Sequence, residues 1–264
     1  MEGLLDRLTG QEQDWLTCAR HMGREAGKVL KGYFRRRDLI VEDKGSAYDI
    51  VTEADKASER LIIDCLHERF PDHAILSEES GDDHRTARCR WVIDPLDGTV
   101  NYSAGIATYC VSIGLVVDGV TRMGYVYAPS LDEEFFAVSG KGAYGPYGRL
   151  HVKATTELQR AVVSTGFPYD KATNPDNNLD TVSRVVPRVR GLRRLGSAAM
   201  DLCYVAAGWL DGYWELNLKE WDACAGELIA SEAGATVTRY REDHGICILA
   251  ATPAIAEQLL PLVV

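Results

Sequence analysis

Two aspartates three residues apart are the chemically most informative feature of the sequence. Asp94 and Asp97 follow the apolar run Trp91-Val92-Ile93 and flank Pro95. The run predicts a buried strand, and Pro95 predicts a turn at its carboxyl end, where open α/β sheets bind ligands. At about 5 Å and an effective dielectric of about 20, two such carboxylates repel by about 3 kcal/mol. A cation that offsets the repulsion is expected, although the motif alone also fits a plain surface turn.

Further acidic residues recur at the ends of other predicted elements. Asp49 precedes a helix start at Thr52, the pair Glu78-Glu79 follows an apolar run, and Asp222 opens a later helix. Singly, each fits a loop residue, a solvated charge or a helix cap. Together they predict convergent oxygen ligands, which suit a hard cation and above all Mg²⁺ where a phosphate shares the coordination.

Cysteine and histidine offer no competing metal site. The 7 cysteines and 6 histidines are scattered along the chain. They form no C-x-x-C pair and no H-E-x-x-H motif. The cysteines are therefore expected to be small buried hydrophobes and not disulfides or zinc ligands.

Two glycine-containing segments could bind an anion. Gly98-Thr99 follow the aspartates, and Gly196-Ser197-Ala198 open a predicted helix. Glycine lets backbone amides approach a phosphate closely, and Thr99 could orient a water. Capping by Ser197 is the plainer interpretation of the second segment. Carboxylates for a metal beside amides for an anion predict a metal-dependent phosphate-ester site.

Two other motifs carry less weight. The stretch from Gly140 to Gly145 matches G-x-G-x-x-G, but Pro146 and Gly148 follow where a dinucleotide site needs a helix. It is predicted to be a turn between strands. A basic run is predicted to be a solvated edge, with an acidic ligand or partner subunit as the alternative; its members are Arg188, Arg190, Arg193 and Arg194.

Helices interleaved with mixed strands predict a layered α/β or α+β architecture. The predicted helices cover 11–33, 52–70, 177–186, 197–209, 222–233 and a short segment from Pro253. The predicted strands lie at 74–76 and 91–93, in a hairpin at 108–127 with its turn at 118–119, at 133–138, near Val162 and Leu192, and at 213–216, 236–240 and 247–250.

Length and composition set the scale of the molecule. The chain has 264 residues, of which 46% are hydrophobic and 26% charged, and its formal charge is −10. This balance predicts a soluble, cytoplasmic protein, and the acidity argues against a nucleic-acid partner. No apolar run approaches the roughly 20 residues of a membrane span, and the first 15 residues show no secretory leader.

The weakly patterned stretch 147–159 predicts a boundary between two subdomains. Residues 1–150 would form an α+β subdomain that carries most metal ligands. Residues 151–264 would form an α/β subdomain that carries Asp222 and the substrate-hydroxyl side.

The chain resembles the inositol monophosphatase family of Mg²⁺-dependent, lithium-sensitive phosphatases, and its bacterial members most. The long D-P-x-D-G-T-x-N and W-D-x-x-A-G motifs are highly specific, and departures at Val100, Cys224 and Ala235 remove no oxygen ligand. The matching segments are Asp49–Asp55, Ser77–Ser80, Trp91–Tyr102, Leu195–Ala199 and Trp221–Gly234.

The resemblance implies a layered αβαβα sandwich, commonly dimeric, and a role for each matching residue. Asp49 and Thr99 would orient or activate the attacking water, with Glu78 also counted among the catalytic residues. The Gly98 and Thr99 amides would hold the phosphate, and the alcohol side would be lined by Ser197, Ala198 and Glu215. Two or three Mg²⁺ ions would be bound by Glu78, Asp94, Asp97, Asp222 and the backbone carbonyl of Leu96.

The implied activity is hydrolysis of a phosphate monoester of a small polyol, with myo-inositol monophosphate first among the substrates. Magnesium would activate water and neutralise the developing charge, so no protein nucleophile is needed. The alternative substrates are histidinol phosphate, fructose 1,6-bisphosphate and 3′-phosphoadenosine 5′-phosphate. A regulatory binding protein on the same fold is a further alternative, which the loss of a ligand would favour.

Overall fold

The structure is a computed structural model that describes residues 7–241 and 243–264. The predicted N-terminal subdomain and the stretch examined for a leader both begin in residues 1–6, which lie outside these ranges. Among the described residues, no helix combines the length and the apolar character needed to cross a membrane.

Helices and strands alternate along the described chain. The α-helices are α1 Gly10–Tyr33, α2 Glu53–Arg69, α3 Thr99–Ser103, α4 Leu179–Val185, α5 Ala198–Ala206, α6 Glu220–Glu232 and α7 Pro253–Val263. The strands are β1 Val41–Ser46, β2 Asp49–Thr52, β3 Ala74–Ser77, β4 Gly81–Asp82, β5 Cys89–Asp97, β6 Cys110–Val117, β7 Val120–Ala128, β8 Glu133–Val138, β9 Ala143–Gly145, β10 Gly148–Arg149, β11 Val162–Thr165, β12 Gly191–Arg193, β13 Gly212–Leu218, β14 Thr236–Arg241 and β15 Ile246–Ala251.

The elements stack in five layers. Helices α1 and α2 cover one face of an eight-stranded mixed sheet in the order β10-β9-β8-β7-β6-β5-β3-β4. Helices α5 and α6 fill the space between this sheet and a five-stranded sheet in the order β12-β11-β13-β15-β14. Helices α4 and α7 pack on the far side of the second sheet. The predicted αβαβα sandwich is confirmed.

Local sequence signals explain where several elements begin and turn. Helix α2 starts with a capping box, in which Thr52 accepts from the Ala54 amide at 3.2 Å and Asp55 accepts from the Thr52 amide at 2.9 Å. The β6–β7 hairpin turns at Asp118 and Gly119, whose φ angles of 51° and 78° suit a tight two-residue turn. Both features were predicted from the sequence.

Helix α6 packs unusually close to the first sheet. A Cβ atom on Gly124 of β7 would meet the Ala225 carbonyl oxygen at 2.6 Å, and one on Gly114 of β6 would meet the Cys224 sulfur at 2.5 Å. Two glycines therefore let the backbone of α6 rest almost directly on the sheet.

The sequence-based assignment was wrong or incomplete at several places, and the short elements α3, β4, β9 and β10 were not predicted. Strand β5 does not turn at Pro95 but runs through to Asp97, with an irregular register that skips the proline, which has no amide proton to donate. The hairpin β1–β2 lies in a polar stretch for which no strand was predicted. Helix α6 begins two residues before Asp222, and α5 ends at Ala206, just before Gly208 with its φ of 68°.

The G-x-G-x-x-G match begins in the turn between β8 and β9 and ends with β9 itself, and Gly140 and Gly142 in the turn have φ angles of 76° and 86°. It is the predicted turn between strands.

Candidate active site

The predicted site residues line two adjoining cavities at one end of the first sheet. One cavity, which we call the metal side, is lined by Lys44, Asp49, Glu78, Asp94, Leu96, Asp97, Gly98, Thr99, Tyr169, Asn217, Lys219, Trp221 and Asp222. The other cavity, which we call the alcohol side, shares several of these residues and is also lined by Phe167, Pro168, Arg194, Ser197, Ala198 and Glu215. Every residue predicted for the site thus lies along one cleft.

Asp94 and Asp97 lie at the end of β5 and are almost completely buried, with exposures of 2% and 8%. Burial and the repulsion of Glu78, Asp97 and Asp222 hold the pKa of Asp94 well above its ordinary value. The pKa of Asp97 is raised by burial to about 6, although hydrogen bonds from Ser197 and from the Ala198 and Ala199 amides oppose the shift. The end of β5 therefore carries negative charge in a place that disfavours it.

The Glu78–Glu79 turn after β3 is held from two directions. Lys44 of β1 pairs with Glu78 at 2.9 Å and with Glu79 at 2.6 Å. Although burial opposes it, this pairing raises the pKa of Lys44. Glu59 of α2 accepts hydrogen bonds from the amides of Glu79 and Ser80 at 3.2 and 3.0 Å. The hairpin β1–β2 and helix α2 together fix the direction of Glu78.

Asp222 is the third residue of α6, and its Oδ2 accepts from the Lys219 amide at 2.6 Å. The structure thus corrects the simple N-cap interpretation, since Asp222 is the back-bonding partner of a capping arrangement. Burial, followed by the charges of Glu78 and Asp97, raises the pKa of Asp222 well above its ordinary value.

Within residues 7–241 and 243–264, no three Asp, Glu, His or Cys side chains stand as a formed metal site. Donors of the protein engage the predicted ligands instead: Lys44 pairs with Glu78, and the Ser197 hydroxyl donates to Asp97 at 2.7 Å. The chemistry of the set still fits a hard cation, because buried carboxylates with raised pKa values are stabilised by positive charge. A cation entering here must compete with Lys44 for Glu78.

Thr99 begins α3 directly after Gly98, whose φ of 93° is left-handed. The Thr99 hydroxyl lies 3.1 Å from Asp55 Oδ1 and 3.0 Å from the Leu96 carbonyl oxygen, both of which accept. Burial raises the pKa of Asp55 to about 6. Sequence reasoning paired Thr99 with Asp49; among the described residues, the structure gives Thr99 the partner Asp55, while Asp49 lies near Lys44 on the metal side.

Glu215 of β13 lies on the alcohol side, where Tyr213 donates a hydrogen bond to it at 2.6 Å. Burial raises the pKa of Glu215 to about 7. A Cβ atom on Gly166 would lie 1.9 Å from the Glu215 carboxylate. The glycine after β11 therefore leaves the space that this carboxylate occupies.

Ser197 serves both as a cap and as a site residue. Its hydroxyl accepts from the Met200 amide at 3.3 Å at the start of α5, as the plainer interpretation of the sequence expected. The same hydroxyl and the Ala199 amide donate to Asp97 at 2.7 and 2.8 Å. The start of α5 thus orients a carboxylate of β5.

Sequence reasoning missed several lining residues and half-explained the basic run. Lys44, Tyr169 and Asn217 come from loops or irregular strands that carry no periodic signal; only the polar stretch around Lys44 was noticed. All four arginines of the basic run are exposed, and Arg194 also lines the alcohol side.

The layered α/β fold with a cleft of carboxylates whose pKa values are raised is typical of an enzyme. The model of the family described as "Inositol monophosphatase family" matches residues 11–263. The chain therefore belongs to the inositol monophosphatase family, and family and structural neighbours together indicate a phosphatase.

Relatives at the sequence level carry two kinds of name. The chain is 42% identical to the Nus factor SuhB of Pasteurella multocida over 93% of this chain and 94% of that protein. It is 40% identical to an inositol-1-monophosphatase of Synechocystis over 86% of this chain and 79% of that protein.

Solved structures agree with the fold. An inositol monophosphatase of Anabaena (Nostoc) superimposes with a TM-score of 0.84 at 38% identity, covering 95% of each chain. An IMPase/NADP phosphatase solved with Mg²⁺ and phosphate superimposes with a TM-score of 0.81 at 25% identity, covering 96% of this chain and 95% of that one.

Proposed function

We propose that the protein hydrolyses the phosphate monoester of a small polyol, with myo-inositol monophosphate as the first candidate, and that it uses Mg²⁺. The observation that carries this proposal is the cluster of buried and half-buried, mutually repelling carboxylates beside a second cavity with its own half-buried glutamate. The first part suits a hard cation, and the second suits a ligand rich in hydroxyl groups.

The metal would be held by Glu78, Asp94, Asp97 and Asp222 with the Leu96 carbonyl, two or three ions being proposed. When bound, Mg²⁺ would supply Lewis-acid activation of water and neutralisation of phosphate charge. The four carboxylates and the carbonyl are all oxygen donors, the ligand class that Mg²⁺ prefers.

The attacking water would be oriented by Thr99. Because the hydroxyl proton of Thr99 is directed at Asp55 or at the Leu96 carbonyl, its oxygen is left free to accept from a water in the cleft. A part for Asp49 in the same task, and for Glu78 beyond metal binding, stays a prediction. The Gly98 and Thr99 amides are proposed to hold the phosphate.

The alcohol would lie against Ser197, Ala198 and Glu215. As a carboxylate, Glu215 can accept hydrogen bonds from two hydroxyl groups of a polyol. Tyr213 fixes its orientation through the 2.6 Å hydrogen bond. This arrangement favours a neutral, hydroxyl-rich leaving group.

A substrate panel tests the proposal. Values of kcat/KM with Mg²⁺ are compared for myo-inositol 1-phosphate, histidinol phosphate, fructose 1,6-bisphosphate and 3′-phosphoadenosine 5′-phosphate. We expect the inositol ester to be preferred, and Asp94→Asn to serve as the inactive reference. The proposal is wrong if the protein hydrolyses none of these esters faster than that variant does.

A second candidate is a binding role as a Nus factor, which the name of the Pasteurella multocida relative favours. The metal-free Asp94→Asn variant, used as bait in a pull-down, separates the two roles. A partner retained equally by this variant and the wild type would show binding that does not depend on phosphatase activity.

Other expectations stay predictions. They are the homodimer, lithium sensitivity and a cytoplasmic location. Light scattering of the purified protein tests the first, and inhibition by Li⁺ in the panel assay tests the second.

A further inference from the structure

The segment 167–178, which joins β11 to α4, forms one wall of the alcohol side. Its first residues Phe167, Pro168 and Tyr169 line the alcohol side, and Tyr169 also lines the metal side. The segment has almost no regular secondary structure. Its position therefore depends on the side chains that tie it down.

His244 lies between two carboxylates of this segment. Its Nδ1 is 3.1 Å from Asp176 Oδ2, and its Nε2 is 3.1 Å from Asp170 Oδ2. The imidazole belongs to the turn between β14 and β15, and its side chain is only 16% exposed. One histidine thus joins two points of the segment to a turn of the second sheet.

The neighbours of His244 strengthen the same connection. Asn174 donates to Asp170 at 2.9 Å, and this bond, together with His244, lowers the pKa of Asp170. Arg241 of β14 pairs with Asp176 and is the first cause of the lowered pKa of Asp176, ahead of His244. Both carboxylates are therefore held in the charged form that attracts the ring.

The same turn also touches the cleft directly. A Cβ atom on Gly245 would meet Asn217 Oδ1 at 2.6 Å and its Cα at 2.8 Å. Asn217 lines both cavities and has a φ of 59°. The turn that carries His244 therefore packs against one wall of the cleft while it holds another.

At its other side the segment reaches the β1–β2 hairpin. The Lys171 ammonium lies 4.5 Å from the centre of the Tyr48 ring, within range of a cation–π interaction. Since β1 carries Lys44 and β2 begins at Asp49, the segment spans the cleft from the second sheet to the hairpin of the metal side.

We propose that His244 is a positioning residue that anchors the segment 167–178 over the alcohol side, and that the anchor is tightest when the imidazole is doubly protonated. An imidazolium donates from both ring nitrogens, whereas the neutral ring donates from only one. Both carboxylates can therefore be bonded only by the charged ring. Its consequence for substrate affinity rests on the proposed function.

Other charged or titratable groups face this site among the described residues. Arg241 and Asp243 form an ion pair at 2.8 Å beside it, and the Cys247 thiol donates to the His244 carbonyl oxygen at 3.5 Å. Arginine keeps its charge at all working pH values, and burial raises the pKa of Cys247. The neutral and the doubly protonated imidazole therefore differ in the number of hydrogen bonds that His244 can donate to the two carboxylates.

Hydrogen exchange tests the anchor without any substrate. Exchange of peptides from 168–178 is measured by mass spectrometry at pH 6 and pH 8 and corrected for intrinsic rates. In the wild type we expect more protection at pH 6. His244→Gln should exchange up to about fivefold faster at pH 6 and show no excess pH dependence. His84→Gln, whose side chain is 88% exposed beside Asp82, is the matched control and should behave as wild type.

Asp170→Asn gives an independent second variant, which removes one carboxylate and leaves the imidazole. It should lose the pH-dependent protection as His244→Gln does. Equal protection of 168–178 in the wild type and both variants, or a pH response that survives in both, overturns the proposal.

Kinetics then connect the anchor to catalysis. With myo-inositol 1-phosphate, His244→Gln should raise KM several-fold while kcat changes little, because the segment contributes none of the proposed metal ligands. A lower kcat with unchanged KM contradicts this role. If no ester is hydrolysed by the wild type, the proposed function fails, while the exchange experiment still decides the anchor.

Discussion

The two sides of the cleft are built on different principles. The metal side consists of strand ends and the first turn of a helix that rests on a sheet, and its carboxylates are buried against one another. The alcohol side consists of an irregular segment, a bulged strand and the capped start of α5. The metal side fixes charged groups on regular secondary structure, whereas the alcohol side depends on contacts between loops for its shape.

This difference separates the energetic demands of chemistry from those of recognition. Raised pKa values on the metal side mean that the folded protein is destabilised by its own ligands until positive charge arrives. On the alcohol side a single half-buried glutamate, Glu215, also has a pKa raised by burial. Substitutions on the two sides should therefore differ in which quantity they change.

Asp94→Asn should have the largest effect. Replacing a carboxylate ligand by a neutral amide, which keeps one oxygen but no charge, is expected to lower kcat/KM by at least about 100-fold. The metal-free protein should become more stable by about 0.5–2 kcal/mol, because the amide carries no charge to repel Glu78 and Asp222. Mg²⁺-dependent hydrolysis and urea unfolding in EDTA measure the two effects. Asp72→Asn on the surface is the control; near-normal turnover of Asp94→Asn would refute the metal-side assignment.

Glu215→Gln should show that the ionised carboxylate on the alcohol side also lowers the free energy of unfolding. In the unfolded chain a glutamate titrates at about 4.3, whereas the pKa of Glu215 in the fold is raised to about 7. The folded protein therefore holds the extra proton between these values, and stability falls as pH rises through this window. The variant should lose that fall and exceed the wild type by up to about 3 kcal/mol at pH 8.

Unfolding midpoints from pH 4 to pH 8, recorded in EDTA, measure this difference. Glu257→Gln on the surface of α7 serves as the control and should follow the wild type. Parallel pH profiles for Glu215→Gln and the wild type would show that Glu215 titrates normally.

Glu59→Ala should weaken the metal side without touching a ligand. It removes the acceptor of the Glu79 and Ser80 amides, so the turn that aims Glu78 is released. Supports of this kind cost about 10- to 100-fold in metal affinity or activity. Isothermal titration with Mg²⁺ measures the loss, and Glu59→Gln, which keeps an accepting oxygen, should recover part of it. Unchanged Mg²⁺ affinity in the alanine variant would mean that Lys44 alone fixes the turn.

Lys56→Ala sets the baseline for both sides. Lys56 and Glu42 form a 2.6 Å ion pair, but both side chains are about half exposed at 51% and 57%. We expect a change in the free energy of unfolding below about 0.5 kcal/mol and no change in activity. Thermal unfolding and the panel assay check this. A larger loss would show that hairpin β1–β2 needs the pair to stay in place.

The parts of the fold with a periodic or capped sequence were predictable. The box at Thr52 and Asp55 marks the start of α2, and Asp118-Gly119 marks a tight turn, since both signals are local. The αβαβα layering came from the family resemblance. The hairpin β1–β2 was not predictable because Val41 to Ser46 alternates no apolar residues and is specified by pairing with β2.

The candidate site divides in the same way. Acidic residues next to recognisable strand or helix ends were found, and the structure brings them to one cleft. Asp55 was recognised as a capping residue but not as the partner of Thr99, because that contact spans 44 positions of the chain. Tyr169 and His244 belong to irregular segments, and their contacts are with residues that are distant in the sequence and become neighbours only in the folded protein.

The close packing of α6 against the first sheet makes glycines without any reactive group important for the site. Asp222 belongs to this helix, and the helix can pack at its present distance from the sheet because Gly114 and Gly124 have no side chains. A methyl group added at Gly124 would collide with the Ala225 backbone and move the helix, and Asp222 would shift away from the other carboxylates of the cleft. Replacement of such a glycine in the middle of a strand is therefore expected to inactivate the protein although every polar residue of the site is unchanged.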